Sequence, residues 1–369
     1  MLAELTFSVS DLVEMRFARS PMWEVGPSNR LLRSGSAHPV HRSWIEQVRP
    51  RLASAGLDRG WLAELVPPHG YVPDFLNPAP AGPAPALADE LARIRAVPAA
   101  RVRRDLDRLR REQGRLGPRL SRLYTDPPAH LARVTEEIES YWELALAPYW
   151  SRIRAVLDAD VFHRARQVAE HGAGHLLSDL HPSMSWSDDA LRLTRRQRPL
   201  SRGAAGTGLL LIPSVFTGPA LFTRVSPPDP PQLAYPARGT GTLWRPRSVT
   251  GSAALAAVLG RSRTLLLTEL EIPASTTELA RRTGLSPAGV SRCLTALRDA
   301  GIDSAHRAGH SVLYARTAAA ESVLAAPGDR FSSSHASGPP GNVSAGAYGA
   351  RHDDMGGVRG DGTRAGGAG

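Results

Sequence analysis

The sequence predicts an α+β fold that is mostly helical, and three observations carry this prediction. Apolar residues recur at helical spacing through 87–123, 131–157 and 159–177. Between and after these helices lie short apolar runs bounded by Gly and Pro, which are typical of strands in a small sheet. Gly, Ser, Ala and Pro dominate 328–369, and such a composition buries too little apolar surface to offset its ordering entropy. That tail is therefore predicted to be disordered.

Breaks in this pattern divide the chain into three regions. A stretch rich in Pro and Gly, 236–251, has the composition of a linker or domain edge. We expect a mixed α+β domain over 1–245, a compact helical segment over 252–327 and the disordered tail over 328–369. The strands of the first domain are expected at 2–9, 190–194, 208–215 and 232–235.

Composition excludes several classes of protein. The 45 basic residues outnumber the 35 acidic ones, for a net charge of +10, and all are Arg because the chain has no Lys. P-loop NTPases, protein kinases and Schiff-base enzymes need a Lys at the reacting centre. The single cysteine, Cys293, excludes an intrachain disulfide. The acidic start does not indicate a signal peptide, and the longest apolar stretch, 208–216, is far too short to span a membrane. We expect a cytoplasmic protein.

The segment after 275 has the capping pattern of two short helices joined by a tight corner. Ser275 can cap the first helix, and Glu278 is placed to complete a capping box. Gly284 ends that helix, and Ser286 with Pro287 begins the next one. The second helix carries an apolar stripe that faces the first: Val290, Leu294 and Leu297. Two such helices form a helix-turn-helix, whose second helix enters the major groove of DNA.

The residues around this helix pair predict a wing and a supporting core. The runs 304–307 and 311–316 have strand character and flank a tight turn at 308–309. Upstream, 255–259 and 265–270 supply the helices that close the core. The helix pair, the wing and these helices together predict a winged helix-turn-helix domain.

This segment resembles the ArsR family of winged-helix repressors in ELARRTGLSPAGVSRCLTALRDAGI and RAGHSVLYART. The resemblance covers 253–324 and implies a DNA-binding transcriptional regulator, a repressor, that reads a palindromic site as a homodimer. The preceding region resembles a domain attached to some ArsR-type regulators, in PMWEV, HPVHRSW, PPHGYVPDFL, LLLIPSVF and AYPARGTGTLW. This second resemblance implies no activity.

Departures from the family pattern argue against metal sensing. Metal-sensing members carry a Cys-x-Cys pair in the first motif helix, where this chain has Thr277, Glu278 and Leu279. Other members place Asp and His ligands on the last helix, where this chain offers only Glu321. Asp303 replaces a usually apolar residue of the first wing strand. We therefore expect neither a metal nor another cofactor.

The predicted DNA contacts follow from the helical faces and the wing. Side chains that project away from the apolar stripe are the candidates to meet base edges: Ala288, Ser291, Arg292 and Thr295. Arg can read guanine bidentately, and Ser or Thr can bond to a base or a phosphate. Other arginines of the motif are expected on phosphates: Arg281, Arg282 and Arg298. Two wing residues complete the predicted DNA-binding set: Arg307 and His310.

Two upstream features have a functional and a structural interpretation. Eleven arginines stand against three acidic residues in 93–122, which would suit a second DNA-facing surface through counterion release. We favour a solvated helix face compensated by acids elsewhere.

Four histidines lie near one another in the sequence: His163, His171, His175 and His181. Glycines weaken the helix that their i, i+4 pair needs, and no HExxH pattern accompanies them, so we predict no metal site.

The N-terminal domain is too large to be only a dimer arm, and we expect a sensing or oligomerisation module coupled to the winged helix through 236–251. We interpret Trp142, Tyr149 and Trp150 as core or interface packing, with a pocket for a small-molecule effector as the alternative. Gly-x-Ser-x-Gly, dinucleotide-binding and Walker patterns are absent from the sequence, so we predict no enzyme. The competing function is an enzyme or ligand-binding protein whose winged helix mediates protein contacts.

Overall fold

The computed structural model describes residues 3–6, 9–34, 38–187, 190–194, 208–244, 252–308 and 311–325. The predicted disordered tail and His310 lie outside these residues. Among the described residues, no helix is both long and apolar enough to cross a membrane.

Helices that pack around one large apolar core make up most of the N-terminal domain. They are α1 (Val9–Val13), α2 (Met22–Arg33), α3 (Arg42–Ser54), α4 (Trp61–Leu65), α5 (Leu87–Arg95), α6 (Ala99–Gln113), α7 (Pro118–Thr125), α8 (Pro127–Ala145), α9 (Trp150–His171) and α10 (Ala173–Asp179). Helix α6 shows why they form, because Val102, Leu106 and Leu109 recur on one face and are completely buried. Trp44 and Tyr141 fill the centre of the core. The predicted mostly helical fold is confirmed.

Two predicted helical stretches are each divided at a residue that disfavours helix. Pro148, at which the sequence predicts a bend in the stretch 131–157, lies in a short 3-10 helix, Ala147–Tyr149, so this stretch is two helices, α8 and α9. Gly172 adopts a φ of 83° after α9 ends at His171, and α10 starts at the next residue. The helix predicted over 159–177 is therefore also divided.

Two small sheets complete the N-terminal domain. Their strands are β1 (Ala3–Thr6), β2 (Arg16–Phe17), β3 (Met184–Ser187), β4 (Ala190–Leu193), β5 (Leu210–Ser214), β6 (Phe222–Arg224) and β7 (Gln232–Pro236). One sheet has the antiparallel order β1-β4-β3, and the other has the order β2-β5-β7-β6. Strands β5 and β7 are parallel, with Leu211 opposite Leu233. Strand β5 is buried along its whole length, as expected of an inner parallel strand.

The C-terminal part of the described chain has the winged helix arrangement that the sequence predicts. Its elements are α11 (Ser252–Leu259), α12 (Arg261–Glu269), α13 (Thr276–Thr283), α14 (Pro287–Asp299), β8 (Asp303–Ala308), β9 (Ser311–Arg316) and α15 (Ala318–Ala325). Strands β8 and β9 are antiparallel, with Arg307 opposite Val312. The buried core is shared by the helices: Leu266, Leu270, Leu279, Val290 and Leu294.

The winged helix packs directly against the N-terminal domain. Helix α8 and the 3-10 helix at 147–149 lie against β8, and α9 lies against α15. Part of the predicted linker also belongs to the N-terminal core, because Leu243 is buried and Trp244 Nε1 donates a hydrogen bond to His41 Nδ1 at 2.9 Å. The remainder of that linker, 245–251, lies outside the described residues.

Candidate nucleic-acid interface

Helix α13 and the corner after it hold the second motif helix in place. Ser275 Oγ accepts a hydrogen bond from the Glu278 backbone N–H at 3.3 Å, and Glu278 Oε2 accepts one from the Ser275 N–H at 2.8 Å. The capping box that the sequence predicts is therefore present. Gly284 turns the chain with a φ of 71°, and Ser286 Oγ then caps α14 by accepting from the backbone N–H of Gly289 at 3.1 Å.

The outer face of α14 carries the four side chains that the sequence assigns to base reading. The inner face is buried against the other helices: Val290, Leu294 and Leu297. The outer face is exposed: Ala288, Ser291, Arg292 and Thr295. A helix locked by one face and free on the other has the geometry that entry into a major groove requires. Their contacts with DNA stay a prediction.

The arginines predicted on phosphates are also exposed around this helix. Arg281 and Arg282 lie on α13, Arg298 lies near the end of α14 and Arg307 lies on β8. Within the described part of the chain, none of these four guanidinium groups, nor that of Arg292, lies within 4.0 Å of a carboxylate. Guanidinium groups with no carboxylate in direct contact are available to phosphates, and they give this face a positive charge.

The wing contains one unusual buried carboxylate. Asp303, at the start of β8, is only 3% exposed, and neither of its carboxylate oxygens has a hydrogen-bond partner among the described residues. Burial raises the pKa of Asp303 to about 6, against the opposing effect of Arg298. Asp303 stands where the ArsR pattern usually has an apolar residue, and it is therefore a buried acid at the base of the wing.

Part of the basic stretch 93–122 is paired with groups elsewhere in the fold, whereas Arg104, Arg115 and Arg122 are exposed and have no carboxylate within 4.0 Å among the described residues. Arg101 Nη2 lies 3.1 Å from Asp229 Oδ2, and Arg119 Nη1 lies 3.3 Å from Glu64 Oε1. Other arginines of the stretch donate to hydroxyl or backbone oxygens: Arg93, Arg95 and Arg103. These partners suit a structural role for the paired arginines, and the choice between a solvated helix face and a second DNA surface stays a prediction for the others.

The four histidines are dispersed over different contacts. The rings of His171 and His175 meet edge to face, with centroids 4.9 Å apart. His163 contacts the Arg238 guanidinium, and His181 bonds to the backbone oxygen of Pro219. Within the described residues, no group of three or more His, Cys, Asp and Glu side chains is arranged to hold a metal ion.

The aromatic residues considered for an effector pocket are packed, and a cavity lies elsewhere. Trp142 and Tyr149 are buried, and the rings of Trp142 and Trp150 contact each other with centroids 4.8 Å apart. A cavity of about 430 Å³ lies between the ends of β4 and β6 and the turns beside them. Its lining combines polar and apolar side chains: His181, Pro182, Ser183, Leu193, Thr194, Pro219, Ala220, Leu221 and Thr223. Its volume lies in the range of small-molecule sites.

Sequence reasoning missed both this cavity and the contact between the two domains. The cavity residues come from three separate segments, 181–183, 193–194 and 219–223, and no local pattern joins them. The domain contact includes Arg152, whose Nε donates to Glu321 Oε1 at 3.0 Å, and both side chains are nearly fully buried. A buried Arg in an otherwise ordinary helical pattern gives no signal of its partner 169 residues away.

Comparisons with known proteins agree with this geometry. Residues 273–302 match a family described as winged helix-turn-helix DNA-binding, and these residues contain α13 and α14. Residues 98–241 match a family of unknown function (DUF5937), and these residues contain the cavity. The comparison with curated proteins and the comparison with solved structures found no match. The chain thus contains a winged helix-turn-helix DNA-binding domain, preceded by a mostly helical domain that is similar to a family of unknown function.

Proposed function

We propose that this protein is a transcriptional repressor of the ArsR type that binds a palindromic DNA site as a homodimer in the cytoplasm. The observation that carries the proposal is the outer face of α14, where Ser291 and Arg292 are exposed while the opposite face is buried. The unpaired arginines around it supply phosphate contacts. The resemblance of 253–324 to ArsR repressors supports the repressor role. The domain limits remain those expected from the sequence: 1–245, 252–327 and the tail 328–369.

The homodimer is supported by apolar residues on the terminal helices of the winged helix. Val258 on α11 is 82% exposed and Val323 on α15 is 39% exposed. A second copy would cover them and bring two recognition helices onto successive major grooves, about 34 Å apart. Two-fold symmetry of the protein would then be mirrored in the DNA site.

Fluorescence anisotropy with the promoter-proximal DNA of the protein's own gene tests the proposal. We expect binding that is tighter than to a random duplex of equal length, with two chains bound per site. Affinity should fall steeply with added salt, because arginines displace counterions from phosphates. Equal affinity for both duplexes at about 150 mM salt would contradict the proposal.

We further propose that the N-terminal domain senses an organic metabolite in its cavity. The support is the mixed lining of that cavity, with hydroxyls of Ser183 and Thr194 beside Leu193 and Leu221. A ligand that binds the native state must raise the unfolding midpoint, so a thermal-shift screen of the full chain against metabolites and divalent metals provides the test. If no compound raises the unfolding midpoint, the result would favour a purely structural role for the N-terminal domain. A rise in the midpoint with zinc or nickel would contradict the prediction that the four histidines form no metal site.

A further inference from the structure

The N-terminal domain touches the wing itself, on the strand that also carries a predicted phosphate contact. Glu143, near the C-terminal end of α8, has its Oε2 atom 3.2 Å from Nδ1 of His306 on β8. The other ring nitrogen of His306 lies 2.9 Å from the hydroxyl of Ser304. His306 is therefore held from both sides, once by its own strand and once by the N-terminal domain.

Further contacts hold the neighbouring strand in the same region. Ser151 Oγ, at the start of α9, donates a hydrogen bond to the backbone oxygen of Arg316 at 3.1 Å. The Arg316 guanidinium in turn donates to the backbone oxygens of Leu267 and Thr268 at 2.6 and 2.7 Å. Strand β9 is thus fixed to the N-terminal domain at its end away from the tip, and β8 is fixed at His306, the fourth of its six residues. We call the contacting surface, formed by Glu143 and Ser151, the wing seat.

Strand geometry connects the wing seat to the DNA-facing side of the wing. His306 and Arg307 are consecutive in β8, so their side chains project to opposite faces of the strand. His306 is about 15% exposed and faces α8, whereas Arg307 is exposed on the other face. A rotation of β8 that breaks the contact with Glu143 would therefore also redirect Arg307.

We infer that Glu143 is a positioning residue for DNA binding, which acts through His306 to set the direction of Arg307. This inference rests on the proposed function as a DNA-binding regulator. The N-terminal domain then controls DNA affinity through the wing itself and not only through the connecting segment 236–251. Any effector that moves the end of α8 would change DNA affinity by this route.

Glu143→Gln replaces the charge-assisted bond to His306 by a weaker neutral one. For this variant, loss of positioning and simple electrostatics predict opposite changes in the Kd for DNA. Removing a carboxylate near DNA should tighten binding through the long-range field. Loss of positioning should weaken it instead, and we expect an increase in Kd of about fivefold for the full chain on its promoter-proximal duplex. The matched control is Glu139→Gln, which removes the same charge from an exposed position one turn earlier on α8. It should leave Kd unchanged or slightly lower.

A double-variant cycle shows whether the effect passes through the wing. In an Arg307→Ala background, Glu143→Gln should change Kd by less than about twofold, because the contact that it positions is already lost. His306→Gln, which changes the other member of the contact, should lower the DNA affinity by a similar factor. The swapped pair, Glu143→His with His306→Glu, should recover most of the affinity. An equal loss in both backgrounds would show a general structural defect and would overturn the inference.

Hydrogen exchange of the free protein provides a measurement that does not depend on DNA. Glu143→Gln should speed exchange at amides of β8 and β9 and leave α13 and α14 unchanged, whereas Glu139→Gln should alter neither. Unchanged protection of the wing in Glu143→Gln would overturn the inference.

The outcomes also separate this inference from the proposed function. If the wild-type protein binds no duplex, yet exchange in the wing is faster in Glu143→Gln, the proposed function is contradicted and the wing seat stands. If Glu143→Gln leaves the DNA affinity unchanged or raises it, the inference about the wing seat is contradicted and the proposed function stands.

Discussion

At the scale of single residues, folding pairs some arginines of the most basic stretch with carboxylates that lie far away in the sequence. Arg101 and Arg119 lie in the most basic stretch of the chain, yet each contacts a carboxylate on another element. Arg292 and Arg307 lie in a less basic segment and have exposed guanidinium groups without a carboxylate nearby. Charge density along the sequence therefore overstates the free charge of the basic stretch, because it does not include carboxylates that folding brings close.

The double variant Ser291→Ala with Arg292→Ala should abolish specific DNA binding and leave the fold intact. Both side chains are exposed on the outer face of α14, so their truncation opens no cavity in the core. Loss of a bidentate Arg contact alone costs about 1–3 kcal/mol of base discrimination. Anisotropy measures binding, and circular dichroism measures the fold. Arg166→Ala, on the exposed side of α9, is the control for loss of charge. Parental affinity in the double variant would refute the groove assignment.

Glu24 predicts a pH dependence of stability. Its carboxylate is completely buried and accepts hydrogen bonds from Ser214 Oγ and the Val215 N–H at 3.0 and 3.1 Å. Burial nevertheless raises its pKa from 4.5 to about 8. The folded state thus binds this proton more tightly than the unfolded state does, so the free energy of unfolding should fall as pH rises from 4.5 to about 8. Urea unfolding across that range should show a smaller fall for Glu24→Gln, and an identical fall would contradict the assignment.

At the scale of elements, local chemistry was sufficient for the winged helix and for four strands of the two sheets, β1, β4, β5 and β7, but not for the remaining strands. Ser275, Gly284 and Ser286 mark helix ends through bonds to residues three or four positions away, so the sequence alone locates α13 and α14. Strands β2 and β6 are only two and three residues long, and they exist through pairing, β2 with the distant strand β5 and β6 with the next strand, β7. The sequence predicts a bend at Pro148 and a helix weakened at Gly172, but apolar periodicity continues across both residues and does not show that the helix ends at each of them.

Ser275→Ala should destabilise the winged helix by about 1 kcal/mol, because it removes the side-chain half of the capping box. Its hydroxyl accepts the Glu278 N–H, which has no partner within the first turn of a helix. Chemical unfolding of the full chain measures the loss. Ser322→Ala is the matched control, since its hydroxyl bonds only within α15, to the Ala318 oxygen at 3.0 Å. Equal stability of Ser275→Ala and the parent would show that the cap contributes little.

At the scale of the whole molecule, buried charges tie the DNA-binding domain to the domain before it. Arg152 on α9 is 8% exposed and contacts Glu321 on α15, while its Nη2 atom lies 3.7 Å from Glu271. A buried ion pair contributes little net stability compared with apolar packing, but removal of one partner is costly because the other charge stays buried. Such a contact favours one relative arrangement of the two domains. A fixed arrangement is what transmission from the cavity or the wing seat to DNA requires.

Arg152→Ala should uncouple the unfolding of the two domains. The parent is expected to unfold in one calorimetric transition, whereas the variant should lose about 3–5 kcal/mol at the domain contact and show a separate, earlier transition for the winged helix. The matched control is Arg154→Ala, two residues away and 57% exposed, which should keep the single transition. A ligand of the N-terminal cavity should raise the whole transition in the parent but only the later one in Arg152→Ala. A single unshifted transition in Arg152→Ala would show that this contact does not couple the domains, and regulation would then have to pass through the wing seat or 236–251.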